Sequence, residues 1–455
     1  MKKYIFICCL MLSPLLRAQS VDAIGLTLEE AIEYAIDSSY TTINARRDVA
    51  KAIKQKWETT ATGLPQINAE ANYTNQLRQP KNFIPAQFFD ENAEPGTFVP
   101  VVFSTEQQAD VTATLTQLIF DGSYLVGLQA AKAFLQYSKN FEEKAKLEVR
   151  KGVINAYGSV LVARQSYDII QRNKETLDKN LSETELIFEN GLTEEENVEQ
   201  LRLTQLQLDS QLNNAKRMLE LAEQMFNLSI GLPIEQDVVF LDALSNLAEN
   251  NIDPSLVGTA LNIEENVDYK IAFNLTEQRT LEWKLERSKA LPSLGAFINY
   301  GTQANRNDFN FFDSDLPWFA FSIAGAKLTI PIFSSLGRSA RTQRARIALD
   351  QAETQFTETQ QRIQLELEQA QSNYQFAIEN YANLKENLSL AERIEQKNQV
   401  KFTEGIATSF DLRQAQTQLY ASQQEYLQSM LSVITAKSEL ETVLNLPNYS
   451  STSSN

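Results

Sequence analysis

Two stretches of the chain carry helical periodicity far beyond ordinary length. From Leu125 to about Asn190 there is no proline, and Leu147, Ile154 and Leu161 recur every seven residues, the spacing of a coiled-coil seam. From about Ser335 to Phe402 the register is longer. Ile363, Ala370, Ala377, Leu384 and Ala391 form one row, and Leu367, Tyr374, Tyr381 and Leu388 a second. Read as single helices, these stretches are each roughly 100 Å long at 1.5 Å per residue. Each runs into a glycine and then a shorter return helix, to Ile230 and to Asn445. Gly191 and Gly405 suit the left-handed residue that ends a helix. Thr193 with Glu196, and Thr408 with Asp411, have the three-residue spacing of a capping box at the start of the next one. The pattern predicts two long antiparallel helical hairpins.

Elsewhere the period changes to two. Ile67, Ala69, Ala71 and Tyr73 alternate with Asn68, Glu70, Asn72 and Thr74, and Val111, Ala113 and Leu115 with threonines. These are strands with one apolar and one polar face. Leu294, Ala296, Ile298 and Tyr300 give a third strand, and Trp318 to Ile330 a fourth. The segments between them, 78–104 and 302–317, hold the prolines, asparagines and aspartates of loops. A helix opened by Thr27 and Glu30 runs to about Thr60 before the first strand, where Gly63-Leu64-Pro65 stops it.

The order of elements occurs twice. Leu26–Ile32 is echoed by Leu261–Val267, with Asn262 in place of Thr27 as cap, and Pro65 by Pro292. Phe120 and Phe333 stand 213 residues apart (333 − 120). Gly191 and Gly405 (405 − 191), like Pro233 and Pro447 (447 − 233), stand 214 apart. Five landmarks in one order indicate a duplicated unit. Repeat one is 26–233, repeat two 261–447, with an irregular acidic connector at 234–260 and a polar tail at 448–455.

Composition narrows the function. The sequence has no histidine among 455 residues, which removes histidine acid–base chemistry, serine triads and histidine metal sites together. Residues 1–20 read as a secretory signal: Lys2 and Lys3, an apolar core, then Ala18-Gln19-Ser20. Both cysteines, Cys8 and Cys9, fall inside it, so the exported chain of 21–455 has no thiol chemistry. Losing Lys2, Lys3 and Arg17 takes the formal charge from −17 to −20 (−17 − 3), which disfavours nucleic acid. No Gly-rich phosphate loop is present either. The chain reads as a non-enzyme with no cofactor. No segment after the signal is apolar enough for a transmembrane helix, so membrane residence would fall to the strands. Four strands cannot close a transmembrane barrel, which needs eight or more; three copies supply twelve.

The opening Leu26-Thr27-Leu28-Glu29-Glu30-Ala31, the helix-to-strand Gly63-Leu64-Pro65-Gln66, the strand-to-helix Pro331-Ile332-Phe333 and the tip Gly405 with Asp411, Ala415 and Gln416 resemble the outer membrane factor family, the TolC-like channels of Gram-negative efflux pumps and type I secretion systems. The likeness covers nearly all of 26–447. It implies a mainly α fold with a small β part. Long periplasmic helical hairpins form an α-barrel, and four transmembrane strands per chain build a twelve-strand barrel in a homotrimer within outer membrane lipid. It also implies a passive exit duct partnered by a periplasmic adaptor (membrane fusion) protein and an inner-membrane RND-type pump or ABC transporter. Efflux of small molecules is the first reading and type I protein secretion the second. An exported structural coiled coil without a pore is the rival from another class, and the two-faced strands speak against it.

The resemblance also implies sites. The tips Asn190-Gly191-Leu192 and Glu404-Gly405-Ile406 match the family's adaptor-docking motif around its glycine, although Asn190 and Glu404 replace the commoner apolar residue. Asp411 falls where the family often has a carboxylate at the tunnel entrance, and Phe402 where it has an aromatic constriction. The next acidic position is Gln414 here, and the first-repeat equivalents are Asn197 and Gln200, so at most one acidic ring is implied. For each there is a plainer role: helix capping for the glycines and Asp411, core packing for Phe402. Tyr73, Tyr300, Trp318 and Phe319 are candidates for an interfacial aromatic belt; ordinary strand packing is the alternative.

Overall fold

The computed structural model describes residues 24–447; the signal segment and the polar tail lie outside them. In chain order the elements are β1 (Ile24–Leu26), α1 (Leu28–Ser38), α2 (Tyr40–Ala61), β2 (Gln66–Asn75), β3 (Asn82–Pro85), β4 (Phe98–Val101), β5 (Gln107–Phe120), α3 (Gly122–Glu189), α4 (Glu195–Ile230), β6 (Val238–Phe240), α5 (Leu244–Asn250), α6 (Val267–Ser288), β7 (Ser293–Arg306), β8 (Phe319–Thr329), α7 (Gly337–Thr403) and α8 (Ser409–Val443). The predicted alternation of helix, hairpin, long helix and return helix is present twice. The long helices have 68 and 67 residues and the return helices 36 and 35. The fold class is mainly α with a small β part, as expected. Among the described residues no helix is long and apolar enough to cross a membrane.

The chain forms two compact units. One comprises residues up to Arg46, Phe141–Asp268 and those from Gln360 on; the other is Arg47–Asn140 with Tyr269–Thr359. In the first, the heptad rows are the core. Leu147, Ile154, Leu161, Ile363, Leu367 and Tyr374 are buried. Around Tyr157 the rings of Phe226 and Phe240 meet edge-on, with centroids 4.9–5.7 Å apart, the favoured aromatic geometry. Its hydroxyl lies 3.0 Å from both the Leu26 carbonyl and Asp242 Oδ2 and accepts the Asp242 N–H. Burial, and then the neighbouring Asp242, hold the Tyr157 phenol well above its ordinary range. Asp242 Oδ2 also accepts the Leu28 N–H at 2.7 Å. The connector at 234–260 is therefore not irregular throughout. It supplies β6, which pairs in parallel with β1, and α5, which packs on α8.

Three boundaries differ from the sequence expectation. The helix expected from Thr27 to about Thr60 is two helices, because Ser39 takes an extended conformation (ψ 145°) and its Oγ accepts the Thr42 N–H, capping α2. Asn262 precedes only a 3-10 turn; α6 starts a turn later, where Asn266 Oδ1 accepts the Asp268 N–H. The segment 78–104 contains the small β3–β4 hairpin.

In the second unit, β2, β5, β7 and β8 form one antiparallel sheet in that order. A bulge at Ile119 shifts the β5–β7 register between Leu118 and Phe120, the kind of irregularity that bends a strand at a sheet's rim. Asp121 Oδ1 accepts the N–H groups of Ser123 and Tyr124 and so starts α3.

Candidate functional site: the helical tips and the two-faced sheet

Both tips are built the same way. Gly191 and Gly405 each have φ +73°. The Gly405 N–H donates to the Phe402 carbonyl and the Ile406 N–H to that of Lys401, at 3.0 and 2.8 Å; Gly191 and Leu192 repeat this with Phe188 and Ile187. These paired bonds are the Schellman motif, which satisfies the last helix carbonyls and requires a left-handed residue. A Cβ on either glycine would meet nothing within 4 Å. Positive φ, and not space, is therefore what selects glycine. The next residues, Leu192 and Ile406, are 78% and 76% exposed and form an apolar knob beyond each helix end. Asn190 and Glu404 are exposed beside them, and the Asn190 side chain donates to the Leu186 carbonyl.

The entries to the return helices differ. Thr408 and Asp411 form the expected reciprocal box: Asp411 Oδ2 accepts from the Thr408 N–H at 3.0 Å and hydroxyl at 2.7 Å, and the Asp411 N–H donates to Thr408 Oγ1. Those bonds, with a lesser contribution from Lys401, hold its carboxyl below the usual carboxylate range. The box expected between Thr193 and Glu196 does not form. Helix α4 begins one residue later, with Glu194 as an N-cap that makes no side-chain bond. The Thr193 hydroxyl is instead engaged by Asn197 Nδ2 at 2.9 Å.

Asn197 joins the two tips. Its Oδ1 accepts a short hydrogen bond from the Ser409 hydroxyl, and Gln200 Oε1 lies 3.3 Å from the same hydroxyl. Ser409 is buried. Further along, Asn180 and Gln399 exchange two amide bonds at 2.9 and 3.0 Å, Asn173 donates to Gln423, and Ser166 to Gln424. Polar residues of the long helices thus form an uncharged ladder between the two helical hairpins. Nothing local marks these amides; only the partner helix distinguishes them from solvated ones.

Phe402 is half-buried against the cluster of Leu177, Leu181, Val198, Leu201 and Leu208. Gln414 is exposed, and the Arg413 guanidinium lies 5.2 Å from the exposed Phe410 ring. Sequence reasoning missed Glu395, whose carboxyl burial pushes upward, and Tyr420, raised by burial and by Glu395.

In the sheet, residues directly opposite share a face. The register places Ile67, Tyr73, Val111, Leu115, Ile298 and Tyr300 on one face, and Asn68, Glu70, Asn72, Thr112, Thr114 and Asn299 on the other, which is polar in β2 and β5 but also carries Phe297, Phe321 and Ile323 from β7 and β8. The belt candidates divide. Tyr73 and Tyr300 lie on the apolar face. Phe319 pairs with Gln303 and points to the polar one, because it is an odd number of residues from Ser322, the partner of Tyr300. Trp318 precedes β8 and donates from Nε1 to the Phe311 carbonyl. Tyr73 meets Phe309 and Phe311 edge-on and donates to Gln107 Oε1. The outer strands β2 and β8 each have one unpaired edge.

A β-sheet of this kind joined to helical hairpins tipped by glycine is a fold shared with outer membrane channels of known structure. The comparisons agree. Residues 275–446 match the family model for outer membrane efflux protein. The fold matches VceC, an outer membrane protein from Vibrio cholerae (16% identity, 92% of this chain and 96% of that one, TM-score 0.69). It also matches the CmeC outer membrane channel of Campylobacter jejuni (16%, 92% and 85%, 0.72) and the MtrE outer membrane channel of Neisseria gonorrhoeae (15%, 92% and 88%, 0.66). No curated protein matches the chain by sequence. The resemblance to the outer membrane factor family is borne out, and an outer membrane location with a large periplasmic part agrees with these findings.

Proposed function

We propose that the protein is the outer membrane exit duct of a tripartite efflux system, a passive homotrimeric channel with no catalytic step. The observation that carries this reading is the sheet. Its two faces suit lipid and water, yet its two edges are unpaired, and an open edge is not tolerated in hydrocarbon. Pairing β8 of one copy with β2 of the next, three times, closes twelve strands without an edge. The polar face then lines the pore and the apolar face, with Tyr73 and Tyr300, meets lipid.

The helical hairpins form the periplasmic duct, and their tips dock a periplasmic adaptor that links the duct to an inner-membrane pump of the RND or ABC type. Exposed Leu192 and Ile406, held out by Gly191 and Gly405, are the contacts. At the entrance Asp411 recurs three times around one axis. Neighbouring carboxylates then oppose its lowered pKa and concentrate cations. Asn197 and Gln200 contribute no charge there, and Phe402 braces the tip from the core side.

The test is assembly and conduction together. Protein extracted in detergent is expected to sediment as a trimer and to form cation-selective pores in planar bilayers. A stable monomer without conductance would falsify the channel reading.

A further inference from the structure

The connection from β2 to β5, residues 76–106, carries five exposed phenylalanines. Phe83, Phe88, Phe89, Phe98 and Phe103 are all more than half exposed, Phe88 at 83%. The segment is nonetheless ordered. The Gln76 N–H donates to the Glu106 carbonyl at 2.7 Å, Ser104 Oγ to Gln76 Oε1, and Gln79 Nε2 to the Ser104 carbonyl, forming a stem. Above it β3 and β4 pair with Phe83, Pro85, Phe98 and Pro100 on one face and Asn82, Ile84, Val99 and Val101 on the other. The first face is wholly apolar and the second interrupted only by Asn82. A water-facing apolar patch of this kind marks an interaction surface. Because Pro85 and Pro100 lack N–H groups, the hairpin resists lengthening by strand addition and offers its faces instead.

Position and charge indicate the occupant. The segment leaves the edge strand β2 at the end of the sheet away from Ala61 and Gly122, where the helices join. It therefore stands at the seam where one copy meets the next. Its tip carries Asp90, Glu91 and Glu94, and its root Arg78 and Lys81 against the single carboxylate Glu106, so the tip is acidic and the root basic on balance. None of Arg78, Lys81, Glu91 and Glu94 takes part in the ion pairs formed among the described residues. Tips meeting tips on a threefold axis would crowd like charges. Tip against the neighbour's root matches opposite ones, and that head-to-tail contact closes into a ring under rotation. An anionic membrane surface would repel the acidic tip.

We infer that the 76–106 hairpin docks head-to-tail on the same hairpin of the neighbouring copy, so that three form an apolar lid across the outer mouth of the channel. This rests on the trimeric channel reading. The test uses Phe88→Cys at the tip together with Leu77→Cys at the root, where Leu77 is exposed, in a chain carrying Cys8→Ser and Cys9→Ser, treated in the membrane with a bis-maleimide, so that each chain can be linked to both neighbours. A covalent ladder up to trimer is expected. Arg78→Glu with Lys81→Glu should lose the ladder, and adding Asp90→Lys, Glu91→Lys and Glu94→Lys should restore it. Removal of residues 82–101 should raise single-channel conductance. A trimer by sedimentation that gives no ladder overturns the lid and leaves the channel reading intact; a monomer overturns both. A ladder indifferent to the charge reversals overturns the head-to-tail arrangement. A spin label at Phe88→Cys that is relaxed by oxygen in the bilayer, and not by a water-soluble nickel chelate, assigns the hairpin to lipid and overturns the proposal.

Discussion

Ser409→Ala tests the junction of the two tips most directly. The Ser409 side chain is buried, and its hydroxyl donates to Asn197 Oδ1, with Gln200 Oε1 at 3.3 Å as a second acceptor. Removing the hydroxyl takes away one neutral hydrogen bond, worth about 0.5–1.5 kcal/mol net. Asn197 is only half-buried, so water can reach its orphaned oxygen and no larger desolvation penalty is expected. At 1.4 kcal/mol per tenfold, local opening of the tips should become about two- to twelvefold more frequent. Asn197→Ala should cost less at the Ser409 end, because the hydroxyl can turn to Gln200. The assay is hydrogen exchange, followed by mass spectrometry, on peptides covering 190–200 and 404–414 in the wild type, both single variants and the double. If the two single effects add to within about 0.3 kcal/mol, Ser409 and Asn197 are not coupled and the tips are held by something else. Faster exchange confined to 404–414 would equally refute the link, because a shared bond must loosen both tips.

Replacing Gly191 and Gly405 by bulky residues should abolish export while leaving trimers in the outer membrane, since a side chain at φ +73° costs roughly 1–2 kcal/mol and displaces Leu192 and Ile406; an export assay with membrane fractionation reads this. Asp411→Asn should reduce cation selectivity, seen as a shifted reversal potential in a salt gradient, whereas an unchanged potential leaves Asp411 as a helix cap alone. Because the Asp411 pKa in the folded chain lies below its ordinary 3.8, its stabilisation is fully present above that value and is lost as pH falls through the lowered one. Pepsin cleavage near the second tip should therefore rise at the acid end in the wild type and depend less on pH in the Asn variant. Tyr157→Phe should cost about 1–3 kcal/mol by stranding the Asp242 N–H, whereas the Leu26 carbonyl keeps the Leu241 N–H; faster hydrogen exchange in β1 and β6 reads this.

The features legible in the sequence are those whose causes lie within one or two helical turns. Gly191 and Gly405 end their helices because positive φ suits glycine, and Thr27 and Thr408 start theirs through a partner three residues on. The heptad rows announce which side of α3 and α7 is buried, since 3.5-residue spacing can face only one way. Alternation in β2 and β5 already separates a lipid-suited face from a polar one. Where two local partners compete, the same reasoning falters: Thr193 has a carboxylate three residues on, yet Asn197 takes its hydroxyl.

What meets across long sequence separations is set by the packed chain. That β1 pairs with β6, that Tyr157 reaches Leu26 and Asp242, and that Asn180 faces Gln399 depend on how distant elements approach, and no spacing rule encodes it. The division of Tyr73 and Tyr300 from Phe319 is likewise a matter of register, where one residue of slip reverses the face. The elements, their tips and the two faces of β2 and β5 follow from residue order alone, because backbone conformation and side-chain period are local. The structure determined the polar ladder, the connector's place in the core and the inter-tip bond of Ser409. A polar side chain has the same composition whether water or another helix satisfies it.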